Sequence, residues 1–259
     1  MQQTSALERV MAVVRDLRVR CDWDRVQTRE SLRPYLLEEA HELDHAIGED
    51  DPAAIREEVG DLLLHLAWQL VLADELGEFT ADELGRAVEA KMQRRHPHLF
   101  GQGPRGPWEE VKRRERRSGV LEGLPPTLPA LLMAYRLQER AASVGFDWPD
   151  AAGPLEKVRE ELAEVAAEMP GAHQSTPDAV TPSTEALREE VGDLLFAVVN
   201  LARKLEVEPS SALERANRKF RDRFAAVEAL AEARDLELHS AGLAALDDLW
   251  NEVKAAPKP

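Results

Sequence analysis

Four carboxylates in the C-terminal half of the chain have the spacing of a metal site. Glu161 and Glu164 are three residues apart on one predicted helix, and Glu190 and Asp193 are three apart on the next. Because residues at i and i+3 share a helix face, antiparallel packing of the two helices would bring the four acids together. Their repulsion in a partly dry site is on the order of several kcal/mol, so protons or cations must compensate it. An all-oxygen ligand set favours Mg²⁺, with Mn²⁺ as the alternative, and Mg²⁺ is commonly completed by substrate phosphates.

The alternative interpretation of any single acidic pair is a solvated helix face, which is common in a chain with 49 acidic residues. Asp193, however, directly precedes the apolar residues 194–196, and Gly192 is expected to let another backbone approach closely. The acids are therefore predicted to lie beside a buried stripe. The arrangement occurs twice in the chain, and this repetition favours a site.

Residues that could hold a polyphosphate accompany the acids. They are Lys157, Lys219, Arg223, Trp250 and Lys254. The two pairs on the later helices are each four residues apart and share a helix face, so cations could contact phosphates while Trp250 packs on a base or sugar. Two alternatives stay open: Lys157 forms only an ion pair with Glu161, and Trp250 belongs to the core.

An internal repeat organises the chain. Residues 56–63 recur letter for letter as 188–195, and four weaker echoes surround them in the same order. Matches in one order indicate a duplicated helical domain rather than a short-period solenoid. The predicted domains are 1–118 and 119–259, with a mobile loop at 170–183.

The N-terminal copy keeps most of these residues. Its acids are Glu39, Glu42, Glu58 and Asp61, and its cations and indole are Lys91, Arg95, Trp108 and Lys112. It departs at Glu89, where the second copy has Asn217, and an acid there would oppose a triphosphate. We therefore expect the C-terminal copy to be the main catalytic domain and treat the first site as secondary.

The elements that must position these side chains are helices. Apolar residues recur at helical spacing along most of the chain, and no run of alternation indicates a strand. Asp51 followed by Pro52 is typical of a helix start, and residues 80–83 form a capping box. Predicted helices cover residues 7–17, 52–76, 80–96, 131–144, 154–169, 184–205 and 210–233.

Composition and missing motifs exclude several classes. A net charge of −16 argues against nucleic acid or an anionic membrane as a partner. Cys21 is the single cysteine, which fits a reducing compartment, and no apolar run reaches membrane-spanning length. Residues 1–5 lack a basic segment followed by an apolar one, so no signal peptide is indicated and a cytoplasmic location is expected. No phosphate-binding glycine loop and no G-x-S-x-G motif occurs.

The spacing Glu-Glu-x-x-Glu followed by Glu-x-x-Asp resembles the signature of the MazG nucleotide pyrophosphohydrolases. The resemblance covers nearly the whole chain and matches the tandem members of that family in length and order. Further similar stretches are residues 23–28, 91–100, 144–148 and 217–220. The family usually has proline where this chain has Asp22.

The resemblance implies two tandem all-α helical-bundle domains, a homodimer, and Mg²⁺-dependent hydrolysis of nucleoside triphosphates to monophosphate and pyrophosphate, as house-cleaning of nucleotide pools. By it, the metal ligands would be Glu161, Glu164, Glu190 and Asp193, and the nucleotide contacts Lys157, Lys219, Arg223, Trp250 and Lys254. In the mechanism that follows, Glu161 or Glu164 orients or deprotonates a water that attacks the α-phosphorus in line. Lys219 and Arg223 neutralise charge on the departing pyrophosphate.

Parts of the sequence also fit two other functions. Glu38-x-x-His41 and Glu42-x-x-His45 match the element of a di-iron carboxylate bundle, but the second copy has no histidine at these positions. The other is a non-catalytic helical scaffold that senses nucleotides or binds a partner. The basic run 112–117 could serve as its partner patch, although a solvated helix face explains that run as well.

Overall fold

The computed structural model describes residues 5–101, 119–169 and 184–255. Over these ranges the chain consists of α-helices joined by turns, without a strand, which confirms the predicted all-α class. None of the described helices is both long and apolar enough to cross a lipid bilayer. The chain divides into two compact units. The predicted boundary between 118 and 119 borders a stretch outside the described residues and stays a prediction.

Five helices are described in unit 1. They are α1 (Ala6–Arg20), α2 (Asp22–Arg25), α3 (Arg29–Glu49), α4 (Pro52–Glu75) and α5 (Ala81–Arg95). The predicted starts of α4 and α5 are confirmed, because Asp51 accepts from two amides of the first turn of α4 and Thr80 forms a capping box with Glu83. Helix α3 has no counterpart among the predicted helices. It continues through Pro34, a residue type that usually ends a helix at an interior position.

The core of unit 1 lies where α1 and α3 pack on α4. Val14, Leu32 and Val71 are among its most buried side chains. Arg18 closes one end of this core: its guanidinium donates to both carboxylate oxygens of Glu75 at 2.6 and 2.7 Å and lies 5.5 Å from the centre of the Trp68 ring. This arrangement fixes α1 against α4.

Unit 2 contains five described helices. They are α6 (Ala130–Ala142), α7 (Ala152–Glu168), α8 (Thr184–Lys204), α9 (Pro209–Ala233) and α10 (Gly242–Ala255). Helices α7 and α8 pack closely on each other, α9 packs on α10 around Val227 and Leu249, and α6 contacts both α8 and α9. Helix α10 is absent from the helices predicted by periodicity. The predicted mobile loop 170–183 lies outside the described residues.

An ion-pair network fixes the start of α7 against the end of α8. Arg203 Nη2 donates to Asp147 Oδ1 at 2.5 Å, and Lys204 Nζ donates to Asp147 Oδ2 at 3.3 Å and to the carbonyl of Trp148 at 2.7 Å. The Trp148 ring covers Gly153, where an added Cβ would lie 2.0 Å from Trp148 Cδ1. Burial favours the neutral acid, but the two cations outweigh it and lower the pKa of Asp147.

We expect Asp147→Asn to lower the free energy of unfolding at neutral pH by about 1–3 kcal/mol, because it leaves two largely buried cations without their carboxylate. Since the pKa of Asp147 is lowered in the folded chain, its contribution is present above the unfolded-state value of about 3.9 and is lost as the pH falls through the folded value. Urea unfolding at several pH values measures both effects.

Asp22→Asn is the matched control, because Asp22 holds the equivalent position in the first copy. Its side chain is 96% exposed and pairs with Arg25, three residues away on the same short helix, so the expected loss is less than about 0.5 kcal/mol. Equal losses in the two variants, or a loss for Asp147→Asn that persists in acid, would contradict the role given to this network.

Candidate metal centre

Three of the four predicted acids of the C-terminal copy converge in the structure. Glu161 and Glu164 lie on α7 and Glu190 on α8, and one carboxylate oxygen from each lies within 4.8 Å of the others. Glu161 lies about as many residues before the end of α7 as Glu190 lies after the start of α8, as antiparallel packing of the two helices requires. We call this group the C-terminal triad. Glu161 is only 4% exposed, whereas Glu164 is exposed.

The charge of the C-terminal triad is balanced only in part. Lys157 Nζ lies 2.5 Å from Glu161 Oε1 and 2.9 Å from Glu160 Oε1. The hydrogen bond from Lys157 lowers the pKa of Glu161 and raises that of the lysine. The pKa of Glu164 is raised, first by its hydrogen bond with Glu161, then by burial and by the charges of Glu161 and Glu190. A proton or a cation therefore stabilises this group.

The N-terminal copy forms the equivalent group with a different membership. Glu39 on α3 and Glu58 and Asp61 on α4 each place one carboxylate oxygen within 4.8 Å of the others, and all three are half-buried. We call them the N-terminal triad. Burial and then the neighbouring carboxylates raise the pKa of Glu39 and of Glu58. Tyr35 occupies the position that matches Lys157, so this copy lacks that ammonium group.

Some sequence predictions differ from this geometry. Asp193 is exposed and lies outside the C-terminal triad, although its counterpart Asp61 belongs to the N-terminal one. Glu42 lies outside the N-terminal triad, although its counterpart Glu164 belongs to the other. The expected close approach of a backbone to Gly192 is wrong for the described chain, because a Cβ there would meet no atom within 4 Å. The surface of α8 around Gly192 is therefore open in the described chain.

Four of the five predicted nucleotide contacts lie on a different pair of helices, whereas Lys157 lies on α7. Lys219 and Arg223 are on α9, and Trp250 and Lys254 are on α10, with both lysines exposed. The centre of the Trp250 ring lies 5.3 Å from that of Phe220 and 6.0 Å from the guanidinium carbon of Arg223.

Trp250 also packs on the buried cluster that contains Val227 and Leu249. The ion pair between Lys157 and Glu161 forms, and Trp250 is partly buried against this cluster rather than inside it. In the N-terminal copy, Lys91 and Arg95 lie on α5. Trp108, Lys112 and the basic run 112–117 lie outside the described residues.

Comparison with known proteins agrees with the repeated arrangement. The family model described as the MazG nucleotide pyrophosphohydrolase domain matches residues 27–100 and 154–227, and each matched range contains one triad. The protein from Thermotoga maritima named nucleoside triphosphate pyrophosphohydrolase/pyrophosphatase MazG is 43% identical over 240 residues, which cover 90% of this chain and 89% of that protein. The nucleoside triphosphate pyrophosphohydrolase of Escherichia coli K12 is 38% identical over 265 residues, which cover 98% of each.

We expect a divalent cation to stabilise the chain increasingly as the pH rises. Glu39, Glu58 and Glu164 have raised pKa values in the folded chain, so without an ion their ionisation lowers the free energy of unfolding above about pH 4.3. An ion binds the ionised form and removes this penalty. Thermal midpoints with and without Mn²⁺, between about pH 5 and pH 8, measure the effect. An equal shift in sodium chloride of the same ionic strength would contradict it.

Proposed function

The chain belongs to the MazG family of nucleotide pyrophosphohydrolases, and we propose that it is a nucleoside triphosphate pyrophosphohydrolase acting through its C-terminal triad. As a hydrolase of acid anhydrides, it converts a nucleoside or deoxynucleoside triphosphate and water to the monophosphate and pyrophosphate. The observation that carries this proposal is the convergence of three carboxylate oxygens, from Glu161, Glu164 and Glu190, within 4.8 Å.

The donor set of the triad fits Mg²⁺. All three groups are carboxylates, which hard divalent cations prefer, and the raised pKa of Glu164 reflects a local excess of negative charge. We propose Glu161, Glu164 and Glu190 as ligands and Asp193, one turn after Glu190 on α8, as the fourth. When bound, the ion supplies Lewis-acid polarisation of phosphate oxygens and neutralises their charge.

The remaining roles belong to side chains of the chain itself. Glu164 is the exposed member of the triad, so it would orient the attacking water and take its proton. Lys157 sits beside the triad and would contact phosphate once the ion competes for Glu161. Lys219 and Arg223 would neutralise charge on the departing pyrophosphate. Trp250 would offer the edge of its partly buried ring to the nucleoside.

Two substitutions support the C-terminal copy as the working site. Lys157 faces its triad, whereas the first copy has Tyr35 at the matching position. Asn217 lies two residues before Lys219 on α9, whereas the first copy has Glu89, which repels a triphosphate. The second copy therefore has one more cation and one fewer anion where a substrate with several negative charges would bind.

Glu190→Gln and Glu58→Gln form a matched pair of tests, since both residues are half-buried members of a triad. We expect Glu190→Gln to lower kcat/KM for nucleoside triphosphates by roughly 100-fold or more, because one metal ligand and one negative charge are lost. Glu58→Gln should lower it by less than about threefold if the first copy contributes little. Release of pyrophosphate with Mg²⁺ present measures both.

The non-catalytic scaffold makes a different prediction for the same assay. A scaffold would bind nucleotide without turnover in the wild-type chain, and neither glutamine substitution would change the rate. Equal losses in the two variants would instead contradict the assignment to the C-terminal copy. Circular dichroism of each variant separates lost activity from lost helix, and chelation followed by return of Mg²⁺ tests the metal requirement.

We also propose that the chain forms a homodimer. On α8, Val191, Leu195 and Val198 recur at helical spacing on one face and are 40%, 55% and 44% exposed. Val59 and Leu66 hold two of the matching positions on α4 and are also exposed. A pair of helices that leaves such an apolar stripe in water is half of a four-helix bundle, and a second copy would bury it. The open space at Gly192 would admit the partner's helix.

Leu195→Glu should shift the chain from dimer to monomer, because it places a charge in the centre of the apolar stripe. Sedimentation equilibrium measures the mass. Glu189→Lys is the control: it alters charge at an exposed position of α8 off the stripe and should leave the mass unchanged. A monomeric wild-type chain, or a dimer that persists in Leu195→Glu, would overturn the proposed interface.

A further inference from the structure

A cavity of about 500 Å³ lies beside the N-terminal triad, between α3 and α4. Small side chains make room for it, since Ala46 on α3 and Ala54 on α4 are part of its wall. Polar groups surround it: Glu38, His41, Glu42, His45 and Glu49 of α3, Asp51, and Glu58 of α4, which also belongs to the N-terminal triad. The proposed pyrophosphohydrolase mechanism uses neither histidine.

The two histidines have the spacing of a metal-binding pair. His41 and His45 are four residues apart on α3 and both line the cavity, so their imidazoles share one helix face. The segment from His41 to His45 reads His-Glu-Leu-Asp-His, the H-E-x-x-H spacing that places two imidazoles on one divalent cation when it lies on a helix. Glu38, one turn before His41, and Glu42 provide carboxylates on the same wall.

The ligand chemistry of this wall differs from that of the triads. Imidazole nitrogen is a preferred ligand of Zn²⁺, Ni²⁺ and Co²⁺, whereas Mg²⁺ prefers oxygen and holds its waters. Both triads consist of carboxylates alone. The cavity is therefore suited to a borderline transition-metal ion, and the triads are suited to a hard one.

The repeat shows that these histidines are not needed for the fold. The second copy has Ala163 and Ala167 at the positions that match His41 and His45, and α7 nevertheless forms and carries its acids. Both histidines are exposed, so core packing does not explain them. A di-iron centre does not explain them either, because it needs Glu-x-x-His elements on separate helices and both elements of this chain lie on α3.

We propose that His41 and His45, together with Glu38 or Glu42, bind one Zn²⁺-class ion in this cavity. Ligand atoms of the two imidazoles and of a third wall residue do not all lie within 4.8 Å of one another. Binding would therefore require the exposed side chains of His41, His45 and the third ligand to rotate toward the ion. The proposed site has imidazole ligands, whereas the triads have carboxylates alone. Its existence does not depend on which nucleotide the chain hydrolyses.

The test compares wild-type chain with H41A/H45A, which installs the residues of the second copy. Full-length protein is freed of metal by chelation and titrated with Zn²⁺ by calorimetry in excess Mg²⁺, so that the carboxylate triads are occupied. We expect wild type to bind one Zn²⁺ per chain and H41A/H45A to bind at least about tenfold more weakly. Co²⁺ absorption spectra report nitrogen ligands and should change in the same way.

H98A/H239A is the matched control, because it removes the same number of exposed imidazoles from positions outside α3. It should bind Zn²⁺ like wild type. Unchanged Zn²⁺ affinity in H41A/H45A, or an equal loss in both double variants, would overturn the proposal. Alanine favours helix and is native at the matching positions, so H41A/H45A should keep its helical circular dichroism. If H41A/H45A unfolds, the single variant His45→Gln takes its place in the titration. A wild-type affinity for Zn²⁺ in His45→Gln would then overturn the proposal.

Discussion

The repulsion among carboxylates gathered by two adjacent helices is the constraint on which the structure depends. In each copy a helical hairpin brings three acids within 4.8 Å, where like charges oppose the packing that places them there. The two copies reduce this repulsion differently. Lys157 pairs with Glu161 in the second copy, whereas Glu39 and Glu58 in the first respond with raised pKa values. Each hairpin is therefore poised to gain stability from a cation or from protons.

Interactions away from the acids hold the hairpins together despite this repulsion. Asp147 joins the start of α7 to Arg203 at the end of α8, and Arg29 at the start of α3 donates to Glu78, which lies just after the end of α4. Both ion pairs lie at the end of a hairpin far from its acids in sequence, so they stabilise packing without neutralising the metal centre. The outer apolar faces of α4 and α8 remain exposed, which leaves each unit incomplete as a bundle.

Duplication allows the two copies to differ in chemistry while they keep the same frame. The triads recur because the hairpin geometry and the repeated sequence recur. The residues on the neighbouring surfaces do not recur. The first copy has Tyr35 where the second has Lys157, and it has His41 where the second has Ala163. A helix face tolerates such exchanges since exposed positions contribute little to folding, so one copy can keep the original substrate while the other gains ligands of another type.

Local spacing along the chain is enough to predict the helical class, the duplication, the caps at Asp51 and Thr80, and the helix faces that carry the acids. Which of these acids meet depends on how the helices pack. The i, i+3 rule gives a shared face but neither the rotation of one helix about its partner nor the side-chain torsions, so Asp61 joins its triad and Asp193 does not. The partial burial of Trp250 likewise depends on the packing of α9 on α10, which no local pattern encodes.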